Sequence, residues 1–392
     1  MNEIAALLNK QRILDEAVNR SGLSDFGDLF FDEALERLLT SLVNEANLSI
    51  EGAYGQYERT VNLLVNRLRM EEAFKTHPEI DNEQIDAPVI IVGLPRTGTT
   101  LLSRILSSNP EFYTLHWWEC RNPSPFPVDQ AQPVPARDVR IDAAEAMIKE
   151  ILDAVPELAS IHPFDAEGHD EEILLMEHSF YSTVPEASAW VPSYQAWLEQ
   201  QDQTKAYADL KRMLKFLQWQ KNQRGIHAKR WVLKTPHHLH FMAELHDCFP
   251  DALLIQTHRN PVETIPSLAS MYDYLYQLVS ADVDRHALGR TLLEKWSNSM
   301  NRCLTFRVTT KARMLDVNYL DTVKSPKEVV RRIFDEIGFD FTQDTQGHID
   351  AWLDENQRDS RAKHDYNLAD YGLNQDELVK RFQDYNDEFI TP

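Results

Sequence analysis

The chain has 392 residues, of which 43% are hydrophobic and 26% are charged, so it is long enough to bury one large core or two smaller ones. Its formal net charge of −22 argues against a protein that coats nucleic acid, because that function needs a basic stripe of phosphate-binding side chains. Three widely spaced cysteines, a non-basic start and no apolar run of about 20 residues predict a cytoplasmic protein with reduced thiols and no membrane span.

The first part of the chain, residues 1–85, carries apolar side chains at spacings of three and four, which predicts three or four helices. We expect this N-terminal extension to pack against the rest of the chain or against a partner subunit, as in a homodimer. The alternative is that it contributes to a substrate site. The remainder, residues 86–392, is predicted to be one α/β domain with a helical insertion at about 138–225.

An apolar β-branched run, Val89–Val92, is followed by the loop Gly93-x4-Gly98-x-Thr100 and by a helix that begins near Leu101. The backbone N–H groups of such a loop favour an anion. The spacing is that of the phosphate-binding loop of nucleotide triphosphatases, except that Thr99 replaces the lysine. Taken alone, the stretch is also compatible with an ordinary tight turn.

Two further strand candidates, residues 230–234 and 252–259, end in basic residues. A triphosphatase or a small-molecule kinase of the P-loop type needs a magnesium-binding acid at a strand end and a lysine in the loop. The sequence offers neither at these positions, which argues against a kinase.

The run Pro95–Thr100 resembles the 5′-phosphosulfate loop of sulfotransferases that depend on PAPS (3′-phosphoadenosine 5′-phosphosulfate), which reads Pro-[Lys/Arg]-[Ser/Thr]-Gly-Thr-Thr. The resemblance implies a central parallel sheet wrapped by helices and PAPS as co-substrate. It also implies that Arg96 supplies the charge of the absent lysine. The loop residues that it assigns to PAPS are Arg96, Thr97, Gly98, Thr99 and Thr100.

A catalytic base is implied after the loop helix, where the tyrosyl-protein enzymes of this family have a glutamate. Phe112–His116 is predicted to be a strand, and Glu119 follows its end at the matching structural position. The resemblance therefore implies Glu119 as a base. A solvated loop glutamate is the alternative.

The segment after residue 230 contains a second pair of candidates. Thr235 as N-cap and Pro236 at the first helical position predict a helix that runs to Phe249, with Lys234 at the strand tip before it. The resemblance implies that Lys234 stabilises charge during transfer. His238 falls in the first turn, where the helix dipole disfavours the protonated ring, so it is the other candidate base or an ordinary helix-start histidine.

The 3′-phosphate motif of the family has an arginine at a strand end and a serine eight residues later, and Arg259 with Ser267 reproduces that offset. Asn260 and Pro261 predict a helix start between them. Because seven residues are close to two helical turns, Ser267 should return to the face that bears Arg259. Pro266 should kink this helix.

The C-terminal part supplies weaker matches. A strand ending near Tyr319 resembles the family segment on the adenine side, although Thr322 stands where leucine is expected. Arg361 and Lys363 lie in a basic patch and are the candidates for the basic loop that closes the co-substrate site in this family, with a surface cluster as the alternative.

The stretch Asp165–Glu177 is rich in acidic residues, which predicts a solvated helix face. Three histidines lie within or beside it, but without i, i+4 pairing they do not predict a metal site. We therefore expect no metal.

The resemblance implies a sulfotransferase that moves a sulfonate from PAPS to the hydroxyl of a small or lipophilic acceptor and releases PAP. Nucleic acid and membrane are not expected partners. A non-catalytic PAP-binding protein and a P-loop small-molecule kinase are the alternatives.

Overall fold

The computed structural model describes residues 3–127, 137–156, 164–280, 282–356 and 367–390. Five parallel strands form one sheet in the order β2-β3-β1-β4-β5. This confirms the predicted parallel sheet. The strands are β1 (Val89–Gly93), β2 (Phe112–Tyr113), β3 (Arg230–Lys234), β4 (Leu253–His258) and β5 (Arg313–Asn318).

The central strands read as apolar runs because both of their faces are covered. Every residue of β1 and β4 is buried. In the register, Ile91 of β1 pairs with Lys234 of β3, and Gly93 pairs with Thr257 of β4. The carboxyl ends of these three strands therefore meet at one edge of the sheet, where open α/β folds bind ligands.

In the described part of residues 1–85, four α-helices precede a short 3-10 helix, where the sequence predicts three or four helices. The longest, α4, spans 27 residues and begins where Ser49 Oγ accepts a hydrogen bond from the backbone N–H of Gly52 at 2.9 Å. Their apolar faces form a core of their own, to which Phe180 and Tyr194 also contribute. These helices are α1 (Glu3–Leu7), α2 (Lys10–Ser21), α3 (Phe31–Asn44) and α4 (Ile50–Thr76).

The remaining helices surround the sheet. From the loop to β3 they are α5 (Thr99–Ser107), α6 (Trp117–Arg121), α7 (Val139–Ala154), α8 (Ile173–Met176), α9 (Val184–Ser188), α10 (Pro192–Leu198) and α11 (Thr204–Gln223). After β3 they are α12 (Met242–Cys248), α13 (Pro261–Tyr276), α14 (Arg285–Thr309), α15 (Tyr319–Lys324), α16 (Pro326–Ile337), α17 (Gln343–Glu355), α18 (Gln375–Arg381) and α19 (Gln383–Phe389). Among the described residues, no helix combines the length and the apolar character needed to cross a bilayer.

Short 3-10 helices occur at Pro78–Asn82, Glu177–Ser179, Pro236–His240 and Leu368–Tyr371. The third replaces the start of the helix that we expected to run from Pro236 to Phe249. The chain turns at Phe241 before α12 begins, and His237, His238 and His240 are all buried. Residues three apart share a face in a 3-10 helix, so His237 and His240 lie on the same side of this turn.

Candidate active site

The loop between β1 and α5 needs glycine at both of its ends. Gly93 has φ of 155°, and a Cβ there would lie 2.3 Å from Thr257 Oγ1. Gly98 has φ of 86°, and a Cβ there would lie 2.7 Å from the ring of Tyr319. Arg96 also adopts positive φ, 69°, at the tip of the loop. The loop is therefore held close to β4 and to α15, with its chain direction set for α5 to begin at Thr99.

The hydroxyl of Thr97 stabilises this loop from within. Its Oγ1 donates to the carbonyl oxygen of Leu94 at 2.6 Å and lies 2.6 Å from Thr257 Oγ1. Thr97 is buried and does not line the cavity described below. Its hydroxyl thus faces the protein, whereas the sequence predicts that it faces PAPS.

Lys234 joins the tip of β3 to the loop. Its Nζ donates to Thr100 Oγ1 at 3.2 Å and forms an ion pair with the carboxylate of Glu171. Its backbone N–H donates to Glu172 Oε2 at 2.7 Å. A completely buried carboxylate therefore fixes the backbone of Lys234 while its side chain reaches the start of α5.

The predicted 3′-phosphate residues lie together. Arg96 Nε donates to Ser267 Oγ at 3.2 Å, and Arg259 Nη1 donates to the carbonyl oxygen of Arg96 at 3.0 Å. The guanidinium of Arg259 lies 4.3 Å from the ring centroid of Tyr319 and also pairs with Glu263. The sequence offset between Arg259 and Ser267 thus brings both side chains to the loop.

One cavity of about 1370 Å³ opens beside these residues. Seven of the predicted site residues line it: Arg96, Gly98, Thr99, Thr100, Arg259, Ser267 and Tyr319. Lys234 is nearly fully buried behind the wall formed by Thr100 and Glu171. Arg361 and Lys363 lie outside the described residues.

Glu119 is placed away from the cavity wall. Its Oε2 accepts a hydrogen bond from the backbone N–H of His116 at 3.0 Å, and its Oε1 lies 2.6 Å from Lys221 Nζ. Although burial opposes ionisation, the charge of Lys221 lowers the pKa of Glu119 below its usual value. The Glu119 carboxylate caps the start of α6 and neutralises the buried Lys221. The structure therefore does not bring it to Lys234.

His238 is also engaged away from the cavity. Its Nε2 lies 2.6 Å from Glu172 Oε1, and its Nδ1 lies 2.8 Å from the hydroxyl of Tyr207. The neighbouring His237 does line the cavity, and within the described residues neither of its ring nitrogens has a hydrogen-bond partner. Burial, with the nearby His238 and Lys295, lowers the pKa of His237 well below its usual value. The cavity therefore presents His237 where the sequence predicts His238.

The prediction of a solvated face at Asp165–Glu177 is wrong for its second half. Glu172 and Glu177 are buried, and Glu171 lines the cavity with a side chain that is 21% exposed. Both oxygens of Glu177 are held by arginines, Arg59 at 2.6 Å and Arg121 at 3.5 Å. These acids are internal because each has a cationic or backbone partner there.

Sequence reasoning thus missed Glu171 and His237. The four apolar residues of α8 directly follow Glu171 and Glu172, and that juxtaposition was the available signal that the acids enter a core. For His237 the signal was its adjacency to the predicted His238.

Metal ligation finds no support in the described ranges, in which no three His, Cys, Asp or Glu side chains are grouped closely enough to hold an ion. His169 Nδ1 instead lies 2.5 Å from Thr114 Oγ1, and His178 Nε2 lies 3.1 Å from the carbonyl oxygen of Cys120.

A sequence profile of the sulfotransferase family matches residues 88–343, a range that includes the loop, Lys234, Arg259 and Ser267. The solved structure of sulfotransferase STF9 from Mycobacterium avium is similar with a TM-score of 0.85 and 26% identity, over 98% of this chain and 97% of that one. Sulfotransferase STF1 from Mycobacterium tuberculosis H37Rv gives a TM-score of 0.78 and 28% identity, over 95% and 98% of the two chains. No curated protein sequence matches significantly.

Proposed function

Because the chain belongs to the sulfotransferase family, we propose that it transfers a sulfonate group from PAPS to the hydroxyl of a small or lipophilic acceptor and releases PAP. The observation that carries this proposal is the contact of Lys234 with both Thr100 and Glu171. Through Lys234, the hydroxyl of Thr100, which can bind the donor, is linked to the carboxylate of Glu171, which can take up the proton of the acceptor hydroxyl. Thr100 and Glu171 both line one cavity.

The donor's 5′ end is assigned to the loop and the start of α5. Backbone N–H groups of a loop that ends at a helix N-terminus favour an anion, and α5 spans nine residues. Thr99 and Thr100 line the cavity there, and Lys234 lies beside Thr100. Local cations therefore bind the donor although the whole chain has a net charge of −22.

The donor's 3′-phosphate is assigned to Arg259 and Ser267, which are linked to the loop through Arg96 by hydrogen bonds of 3.0 and 3.2 Å. Arginine offers a planar fork for phosphate oxygens, and serine adds a hydroxyl. Tyr319 lies against both Gly98 and Arg259, so we assign it to the adenosine side of the site.

In the transfer step, the acceptor oxygen forms a bond to sulfur while the bond between sulfur and the bridging oxygen breaks. The electron pair of the broken bond remains on the 5′-phosphate of PAP, and the acceptor's proton moves to the carboxylate of Glu171. The ammonium group of Lys234 stabilises the charge that develops on the leaving oxygen. We assign the base to Glu171 and not to His237 because Glu171 contacts Lys234.

Two alternatives make different predictions. A P-loop kinase requires a cation at the position of Thr99 and a magnesium-binding acid. A non-catalytic PAP-binding protein would retain Arg96 and Arg259 but would be indifferent to the loss of Glu171.

The proposal is tested by incubating the purified chain with labelled PAPS and a panel of phenols, steroids, lipids and sugars. Equimolar formation of PAP and of a sulfate ester is expected. Intact PAPS in the presence of every acceptor, together with tight PAP binding, would favour the non-catalytic alternative.

A further inference from the structure

The cavity is larger than PAPS alone needs. Sites for a single small ligand usually measure about 300–1,000 Å³, whereas this cavity measures about 1370 Å³. The loop, Arg259 and Tyr319 form one part of its wall. The lining also includes an apolar wall, formed by Met147, Ile151, Phe164, Leu174, Val184 and Met271, together with the charged residues Arg104, Arg121, Glu150 and Asp170.

A stripe on α13 extends this apolar wall away from the donor site. Leu268, Met271 and Leu275 follow Ser267 at successive turns of the helix, and all line the cavity. At 1.5 Å per residue, the stripe from Ser267 to Leu275 is about 12 Å long. Leu278 and Val279 continue it after the helix ends.

Several of these apolar side chains are incompletely covered by the protein. Met271, Leu275, Leu278 and Val279 are each half-buried. Met147 and Ile151 of α7 line the cavity and are half-buried as well. Apolar surface left uncovered on the walls of one cavity indicates an apolar occupant, because covering it removes that surface from water.

The N-terminal extension closes the far side of the cavity. Gly52 packs directly on the backbone of Val279, and Ser49 N donates to Val279 O at 2.9 Å. One turn later, Gly55 lines the cavity, and a Cβ at Gly55 would meet no atom within 4 Å. Polar and charged residues also line this side: Arg20 and Glu58, which pair with each other, Arg59, which pairs with Glu177, and Gln56 and Asn62.

We propose that the acceptor is an amphiphilic alcohol whose apolar chain lies along the α13 stripe, with its hydroxyl at Glu171 and its far end near α4. This inference rests on the proposed function and specifies its acceptor. A sugar in this position would turn its hydroxyl groups toward apolar side chains, which is unfavourable because those hydroxyls would lose hydrogen bonds to water. The N-terminal helices then form part of the substrate site, in addition to packing on the remainder of the chain.

The test measures the binding of butanol, hexanol, octanol and decanol to the PAP-loaded protein by calorimetry. Each added methylene should raise the affinity by about fourfold until the stripe is covered. An affinity that does not depend on chain length, or a comparable affinity for maltose, would overturn the inference.

Two variants narrow the cavity from opposite sides. Leu275→Trp enlarges a half-buried wall residue of α13, and Gly55→Trp projects a ring from α4 into open space. Each should weaken decanol binding by about 15- to 60-fold, the effect of excluding two to three methylene groups, and leave butanol binding unchanged. Gly347→Trp is the matched control, because Gly347 is an exposed helical glycine on α17, outside the cavity wall, with equal space for a Cβ.

The outcomes separate the two proposals. If the protein binds PAP tightly and both narrowed variants bind decanol like the control, the acceptor class is wrong and the sulfotransfer proposal stands. If the protein does not bind PAP at all, both proposals fail.

Discussion

Lys234 forms an ion pair with Glu171 while the same ammonium group donates a hydrogen bond to Thr100 Oγ1 at 3.2 Å. Lys234 and Glu171 are 63 positions apart in the chain. The lysine thus connects the loop proposed to bind the donor with the carboxylate proposed to receive the proton.

The first prediction concerns Glu171→Gln. This variant should lose about 100- to 10,000-fold in transfer rate, the usual effect of removing a general base, with PAP affinity kept. The rate is measured with labelled PAPS and an acceptor from the panel. A variant that retains most of the wild-type rate would remove Glu171 from the mechanism.

Glu119→Gln is the comparison that separates the two carboxylates. It leaves the charge of Lys221 buried without its partner, at a cost of about 3–5 kcal/mol in the free energy of unfolding. We expect reduced stability in urea and an unchanged rate per folded molecule. A large loss of rate without a loss of stability would return the base to Glu119.

The third prediction concerns the 3′-phosphate. Arg259→Ala removes charge-assisted hydrogen bonds worth about 1.5–3 kcal/mol, so PAP affinity should fall while the affinity for 5′-AMP remains nearly unchanged. Glu263→Gln is the control, because it removes the partner of Arg259 and keeps the guanidinium. Equal losses for the two nucleotides would show that Arg259 does not contact the 3′-phosphate.

The donor preference itself is a fourth prediction. Because Thr99 occupies the position of the loop lysine, PAP should bind more tightly than ATP, and neither should need magnesium. Calorimetry with and without magnesium measures both affinities. Tight, metal-dependent ATP binding would support the kinase alternative.

A fifth prediction concerns stability at acid pH. Burial, together with the nearby Lys295, lowers the pKa of His240 well below its usual value of 6.5. As the pH falls below 6.5, the unfolded chain takes up a proton that the folded chain does not, so this histidine reduces stability at acid pH. When the pH is lowered from about 7.5 to 5.5, the free energy of unfolding should therefore fall more for the wild type than for His240→Gln. If the wild type and His240→Gln differ in free energy of unfolding by the same amount at both pH values, the lowered pKa of His240 is contradicted.

The sheet was predictable because its central strands are short, buried, apolar runs with turn residues at their ends. Val89–Val92 and residues 252–259 carry that signal, and the loop and helix caps beside them determine where the chain leaves the sheet. The approach of Arg259 and Ser267 to the loop was predictable as well, because Arg259 directly precedes the N-cap of α13 and Ser267 lies about two turns into that helix, which is a local relationship.

The contact between Glu171 and Lys234 was not predictable in the same way. Glu171 meets Lys234 through a contact between distant parts of the chain, and no local periodicity reports such a contact. Sequence position alone also could not distinguish His237 from His238, because adjacent residues of the turn face different sides and only tertiary packing decides which side meets the cavity. Glu119 has a matching position along the chain but pairs with Lys221 in the interior.

The most direct test is to follow labelled sulfur from PAPS in a metal-free mixture of hydroxyl acceptors, with the wild-type chain and with Glu171→Gln. The account predicts a labelled sulfate ester and an equal amount of PAP with the wild type, and about 100- to 10,000-fold slower formation of both with the variant. Label that remains in PAPS with the wild type, or equal rates for the two proteins, would contradict it.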